Sequence, residues 1–126
     1  MRAIEEKIIQ ALRGWNGEGV KNLSCRDHVE LDGNKRKYYL WSSLLFWNDS
    51  ENIYYFSGRG WKSLTTKNRL NQILGSFFDA RVCQKNWSWV LTWNGKKYPV
   101  DSGSIFCFRG NKLYRLGAHE EEVKSL

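Results

Sequence analysis

Apolar residues recur every three to four positions at the start of the chain. Ile4, Ile8, Ala11, Leu12 and Trp15 fall on one helical face, and Glu5, Glu6, Lys7, Gln10 and Arg13 fill the other. The pattern predicts an amphipathic helix over residues 1–15. Glu5 and Glu6 near its start and Arg13 near its end suit the helix dipole. Gly14, Gly17 and Gly19 then stop it.

From Asn22 the period changes to that of strands. Cys25, Val29 and Leu31 predict one strand, Asp32-Gly33-Asn34 a turn, and Lys35-Arg36-Lys37-Tyr38-Tyr39-Leu40-Trp41 the returning strand of a hairpin. Ser42 to Trp47 continues that strand or breaks it at a bulge. Asn48-Asp49-Ser50 reads as the next turn and Ile53 to Phe56 as a third strand. A glycine-punctuated loop, 57–64, precedes a helix capped by Thr65 or Thr66 and running to about Gly75. Leu70, Ile73, Leu74 and Phe77 are its apolar face, Lys67, Asn68, Asn71 and Gln72 lie on or near the other, and Arg69 sits close to the boundary.

Strands return after Asp79. Arg81 to Gln84 is one candidate, and Trp87 to Trp93 is a stronger one. Asn94-Gly95 is the best short hairpin signal in the chain, and Lys96 to Val100 pairs back with Pro99 at an edge or end. Ile105 to Phe108 and Lys112 to Leu116 make a last hairpin about Arg109-Gly110-Asn111. His119 to Leu126 reads as a short acidic tail that frays. The expectation is one α+β domain over residues 1–118, with a mainly antiparallel sheet, an N-terminal helix and one central helix.

Size and charge narrow the function classes. The chain has 126 residues, about one domain, and no run approaches the ~18 apolar residues of a membrane span. It holds 20 Lys and Arg against 13 Asp and Glu, net +7, and 15% of it is aromatic, which excludes a disordered polar tail. Without the segment from Ala118, 19 cations and 10 acids remain, so the body carries about +9. That field attracts polyanions and argues against DNA mimicry. Cys25, Cys83 and Cys107 form no C-x-x-C pair, and His28 and His119 stand alone, so neither a metal site nor a disulfide framework is expected. The expected cysteines are small buried hydrophobes with one exposed thiol at most.

Two constellations carry candidate chemistry. In the first, the capped helix start presents unpaired N–H groups to an anion, with Arg59, Trp61, Lys62, Lys67 and Arg69 around it. The structural alternative is that the threonine only caps, Trp61 packs on the sheet and the cations are solvated. The nucleotide-loop pattern G-x-x-x-x-G-K-[ST] is missing, because Trp61 follows Gly60. In the second, cations interleave with aromatics at Lys35-Arg36-Lys37-Tyr38-Tyr39 and Trp93-Asn94-Gly95-Lys96-Lys97-Tyr98. Alternation puts Trp87, Trp89, Leu91 and Trp93 on one side, as core if covered and as a stacking platform if open. The hairpin tips, Lys35, Arg36, Lys37, Lys96 and Lys97, are the expected contacts. Catalytic sets are thin: two histidines, and Asp27, Glu30 and Asp32 divided by alternation, so no enzyme, cofactor or small-molecule substrate is expected.

The run Gly60-Trp61-Lys62-Ser63-Leu64-Thr65-Thr66-Lys67-Asn68-Arg69-Leu70-Asn71 resembles the G-W-x-T-x-T-T-x-x-R-L-N signature of small uncharacterised phage and mobile-element proteins, and the chain departs from them at Ser63 and in its aromatic second half. The resemblance implies a source rather than a mechanism: an accessory protein in the host cytoplasm that binds RNA, DNA or a host nucleoprotein effector. The alternative is an inhibitor of host defence, of anti-CRISPR type, that grips an effector nuclease directly. A leader is not expected, since charges occupy Arg2, Glu5 and Glu6.

Overall fold

The computed structural model describes residues 3–14, 18–50, 53–59, 61 and 63–126. The fold is α+β, with two helices and antiparallel strands throughout. In chain order the elements are α1 (Ala3–Gly14), β1 (Gly19–Asn22), β2 (Asp27–Asp32), β3 (Lys35–Leu40), β4 (Ser43–Ser50), β5 (Ile53–Ser57), α2 (Leu64–Phe78), β6 (Arg81–Lys85), β7 (Ser88–Trp93), β8 (Lys96–Val100), β9 (Ile105–Arg109), β10 (Lys112–Leu116) and β11 (Glu121–Val123). Eight strands make a large sheet in the order β1-β2-β3-β4-β5-β9-β10-β11, and β6-β7-β8 make a small one.

One face of the large sheet is the floor of the core. Alternation along its strands turns Val29, Tyr38, Phe46, Phe56, Phe106 and Leu113 inward, all essentially inaccessible. The helices cover one part of this floor: α1 packs on β2 and β3, and Phe77 and Phe78 of α2 meet Phe46, Tyr54 and Phe108. The small sheet covers another part, with Trp93 edge-on to Phe108 at 4.7 Å. Each side chain of this size removed from water contributes about 1.5–3 kcal/mol. Among the described residues, the opposite face of the large sheet carries the half-buried His28, Tyr39, Trp47, Tyr55 and Tyr114.

Several expectations need correction. An extra strand, β1, precedes the predicted first one; all four of its residues are exposed, so no burial pattern announces it. The turn after β3 is at Trp41-Ser42, and Asn48 belongs to β4. Asn48 is buried, accepting the Arg36 N–H at 2.6 Å and donating to the Asn34 carbonyl at 3.1 Å. Ser63, rather than Thr65 or Thr66, caps α2, its hydroxyl accepting from the Thr66 N–H at 3.4 Å. The helix runs three residues past Gly75 to Phe78 and ends on Asp79 in the left-handed region, φ 53°.

The acidic end does not fray. Glu121–Val123 pairs with β10, Val123 is buried, and the Leu126 N–H bonds the Lys97 carbonyl at 2.7 Å, tying the terminus to the small sheet. Two cysteines are exposed instead of one: Cys25 and Cys83, with Cys107 buried. No helix among the described residues is long and apolar enough to cross a membrane. Trp15, Gly17, Gly60 and Lys62 lie outside the described residues.

Candidate nucleic-acid interface

Charge is not spread along the chain. Residues 58–100 hold Arg59, Lys62, Lys67, Arg69, Arg81, Lys85, Lys96 and Lys97 against Asp79 alone, a net +7 that equals the net charge of the whole protein. The strands before and after, residues 18–57 and 101–126, hold nine cations against ten acids. The small sheet lies wholly inside the basic stretch. Val82, Leu91 and Tyr98 face the core, so alternation turns Arg81, Lys85, Thr92 and Lys97 to solvent, with Arg81, Thr92 and Lys97 side by side in register. Among the described residues, Arg81, Lys85, Lys96 and Lys97 have no carboxylate partner.

The two small-sheet hairpins share a turn geometry with different residues. Asn94-Gly95 has both residues at positive φ, 53° and 72°, as a two-residue hairpin turn requires. Asn86-Trp87 has φ 52° and 68°, which puts a tryptophan where its sister has glycine. Trp87 is 92% exposed, so packing does not compensate for that backbone. It leaves the row predicted for it, and only Trp89, Leu91 and Trp93 turn inward. Lys67, in the first turn of α2, stands 6.0 Å from the Trp89 ring.

The predicted contacts separate. Arg59, Lys67, Lys96 and Lys97 belong to this basic region and reach solvent. Lys35, Arg36 and Lys37 do not form one patch. Alternation sends Arg36 to the helix side, beside Leu12, Phe46 and Phe77, while Lys37 lies opposite Glu30 and Trp47, and Lys35 pairs with Asp49 at 3.2 Å. Trp61 and Arg69 are each 2% exposed and are removed from any contact surface. The Trp61 indole donates to the Ser57 carbonyl at 3.1 Å and packs edge-on to Trp89, which is the structural alternative for this residue.

Arg69 serves the interior. Its Nε donates to the Asp27 carboxylate at 3.0 Å and its Nη1 lies 3.8 Å from Glu5. Glu5 is therefore buried, although its helical position predicts the polar face. Asp27 also accepts from the Ser24 hydroxyl at 2.6 Å and the Tyr38 hydroxyl at 2.5 Å. Burial alone raises the Asp27 pKa, but the bonds from Ser24, Tyr38 and Arg69 outweigh it and hold the carboxyl below its ordinary range. Burial first, and the Asp27 carboxylate second, push the Tyr38 phenol far above its ordinary value. The cluster joins α1, α2, β2 and β3.

The opposite face of the large sheet is the feature sequence reasoning missed. His28 stacks on Tyr39 at 4.7 Å and Trp47 on Tyr55 at 5.3 Å, and the Arg109 guanidinium stands 4.8 Å over Tyr114. These residues occupy the strand parity opposite Val29, Tyr38, Phe46 and Phe56, and that parity is the signal that finds them. Cations in this region are compensated: Arg109 pairs with Glu120 and Lys112 with Glu122. Among the described residues no three His, Cys, Asp or Glu side chains gather as a metal site needs.

The family model for the Kyanoviridae Gp96 protein matches residues 1–111. The chain belongs to that phage protein family. The match spans α1 through β9 and includes the whole basic stretch. No curated protein and no solved structure matches the chain. The phage origin implied by the run from Gly60 to Asn71 therefore stands on the family match.

Proposed function

We propose that this phage protein binds nucleic acid, RNA or DNA, free or held in a host nucleoprotein complex, and performs no reaction on it. One observation carries the reading: residues 81–100 present Arg81, Lys85, Lys96 and Lys97 with no acid among them, beside a tryptophan that is 92% exposed. Cations without partners bind phosphates by releasing condensed counterions, and an unburied indole offers a face to a base. The test is binding of single- and double-stranded oligonucleotides across a salt series. Binding weakens steeply with salt, and Arg81→Glu and Lys97→Glu each lower the salt slope by about 1. Failure of every oligonucleotide to bind at low salt overturns the reading.

A second reading, an inhibitor of host defence of anti-CRISPR type, draws on the other sheet. The Trp47–Tyr55 and His28–Tyr39 stacks amid compensated charges match the aromatic centre and polar rim of a protein–protein interface. Its test is capture of a host protein that survives nuclease digestion and is lost in Trp47→Ala.

A further inference from the structure

A second tryptophan sits in the left-handed region without packing to justify it. Trp41, in the turn between β3 and β4, has φ 55° and is 64% exposed. A bulky side chain at this backbone geometry is an outlier that glycine or asparagine would avoid. The turn is held by the Trp41 N–H bonding to the Arg26 carbonyl at 2.6 Å. Beside Trp41 lies a groove of about 110 Å³ lined by Leu40, Ser43, Leu45, Arg59 and Thr66. A closed cavity of about 150 Å³ holds one benzene ring, so this groove suits the edge of a single planar ring rather than a whole nucleotide. Its lining combines two leucines, two hydroxyl side chains, one guanidinium and the Trp41 indole.

The backbone at Gly58 and Arg59 is held by two hydrogen bonds. The Gly58 N–H bonds the Ser104 carbonyl at 2.8 Å, and the Arg59 N–H bonds the Ser57 hydroxyl at 3.1 Å. A Cβ at Gly58 would stand 2.5 Å from the Asp101 carbonyl oxygen, so only glycine lets the loop approach this closely. Among the described residues the Arg59 guanidinium has no carboxylate partner. Thr66 lines the groove, and Lys67, next in the same helical turn, reaches Trp89.

We propose that Trp41 and the groove beside it hold one unpaired nucleobase, its face stacked on the Trp41 indole, one ring edge in the groove and its neighbouring phosphate on the Arg59 guanidinium. The inference rests on the nucleic-acid reading above and narrows it to unpaired bases, because a base inside a duplex is already stacked on both faces.

The test uses the full-length chain, a short oligothymidylate and an abasic strand of equal length. The wild-type protein binds the oligothymidylate more tightly. Trp41→Gly weakens that binding by roughly 5- to 150-fold and leaves the abasic strand unchanged. Glycine suits a positive φ, so the variant's melting temperature holds or rises, and loss of binding is not loss of fold. Arg59→Gln lowers the salt slope for both strands. Thymidine monophosphate identifies the source: saturable binding that Trp41→Gly removes marks a free-nucleotide pocket, and its failure alongside tight oligothymidylate binding marks a strand. Equal binding of both strands by the wild type, or an unchanged oligothymidylate affinity in Trp41→Gly, overturns the base pocket and leaves the wider reading standing. Failure of both strands to bind overturns the base pocket as well, and the wider reading falls with it only when RNA and duplex DNA also fail at low salt.

Discussion

The two sheets are built from the same antiparallel pairing yet treat charge and aromatic surface in opposite ways. On the outward face of the large sheet, rings lie against rings across neighbouring strands, and Arg109 and Lys112 each have a carboxylate. On the small sheet, Arg81, Lys85 and Lys97 point outward from a stretch with no acid, and Trp87 stands alone at the turn. The first arrangement is internally satisfied and has little long-range field. The second leaves its cations without carboxylates among the described residues, so its positive field reaches into solvent. Net charge is thus a poor guide until it is placed on the fold. The net +7 belongs to residues 58–100, and the longer sheet that dominates the molecule is close to neutral.

Arg69 is the sharpest exception to that division, since it is a basic-stretch cation that never reaches the surface. Arg69→Met strands the buried Asp27 carboxylate and costs about 3–5 kcal/mol in urea unfolding. Arg69→Lys falls between, because one ammonium replaces a planar fork that reaches two carboxylates. The same cluster sets an acid limit. Asp27 titrates below its ordinary 3.8, so its contribution is complete above that pH and is lost as the pH falls through the lower folded value. Thermal melts from pH 7 downward read this as a drop that Asp27→Asn lacks. Full stability in Arg69→Met, with loss of oligonucleotide binding, would return Arg69 to the surface.

Deleting residues 119–126 has the next largest effect. It removes the buried Val123, exposes the β10 edge and cuts the bond between Leu126 and Lys97, for about 1.5–3 kcal/mol by urea midpoint. A frayed tail would lose nothing. The smallest effect separates the small-sheet turn from its sister. Trp87→Gly relieves a positive φ and raises stability by about 1 kcal/mol, while oligonucleotide affinity falls. A variant that binds as before removes Trp87 from the interface.

Much of the fold was legible in the sequence because its strands alternate cleanly and its helices carry one apolar face. The Asn94-Gly95 turn could be read directly, since those residue types are the ones its backbone demands. Asn86-Trp87 could not, because tryptophan is no turn residue, and its alternation with Trp89, Leu91 and Trp93 places it in a strand. The buried end at Val123 and the exposed β1 escaped for a shared reason: both are short segments whose placement depends on a partner strand. The candidate site was half legible. Lys96 and Lys97 could be found from their turn, but the fate of Arg69 depends on Asp27, 42 residues away, and on Glu5 in another helix. Lys35, Arg36 and Lys37 looked like one patch because adjacency in sequence hides the alternation that separates them.

A residue-by-residue map of amide and indole chemical shifts, with a short single-stranded oligonucleotide added at low salt, tests the division between the sheets most directly. Shifts concentrated in residues 81–100 and the Trp87 indole, joined by Trp41 and Arg59, are the predicted result. Shifts confined to Tyr39, Trp47, Tyr55 and Tyr114 would contradict it and move the interface to the large sheet.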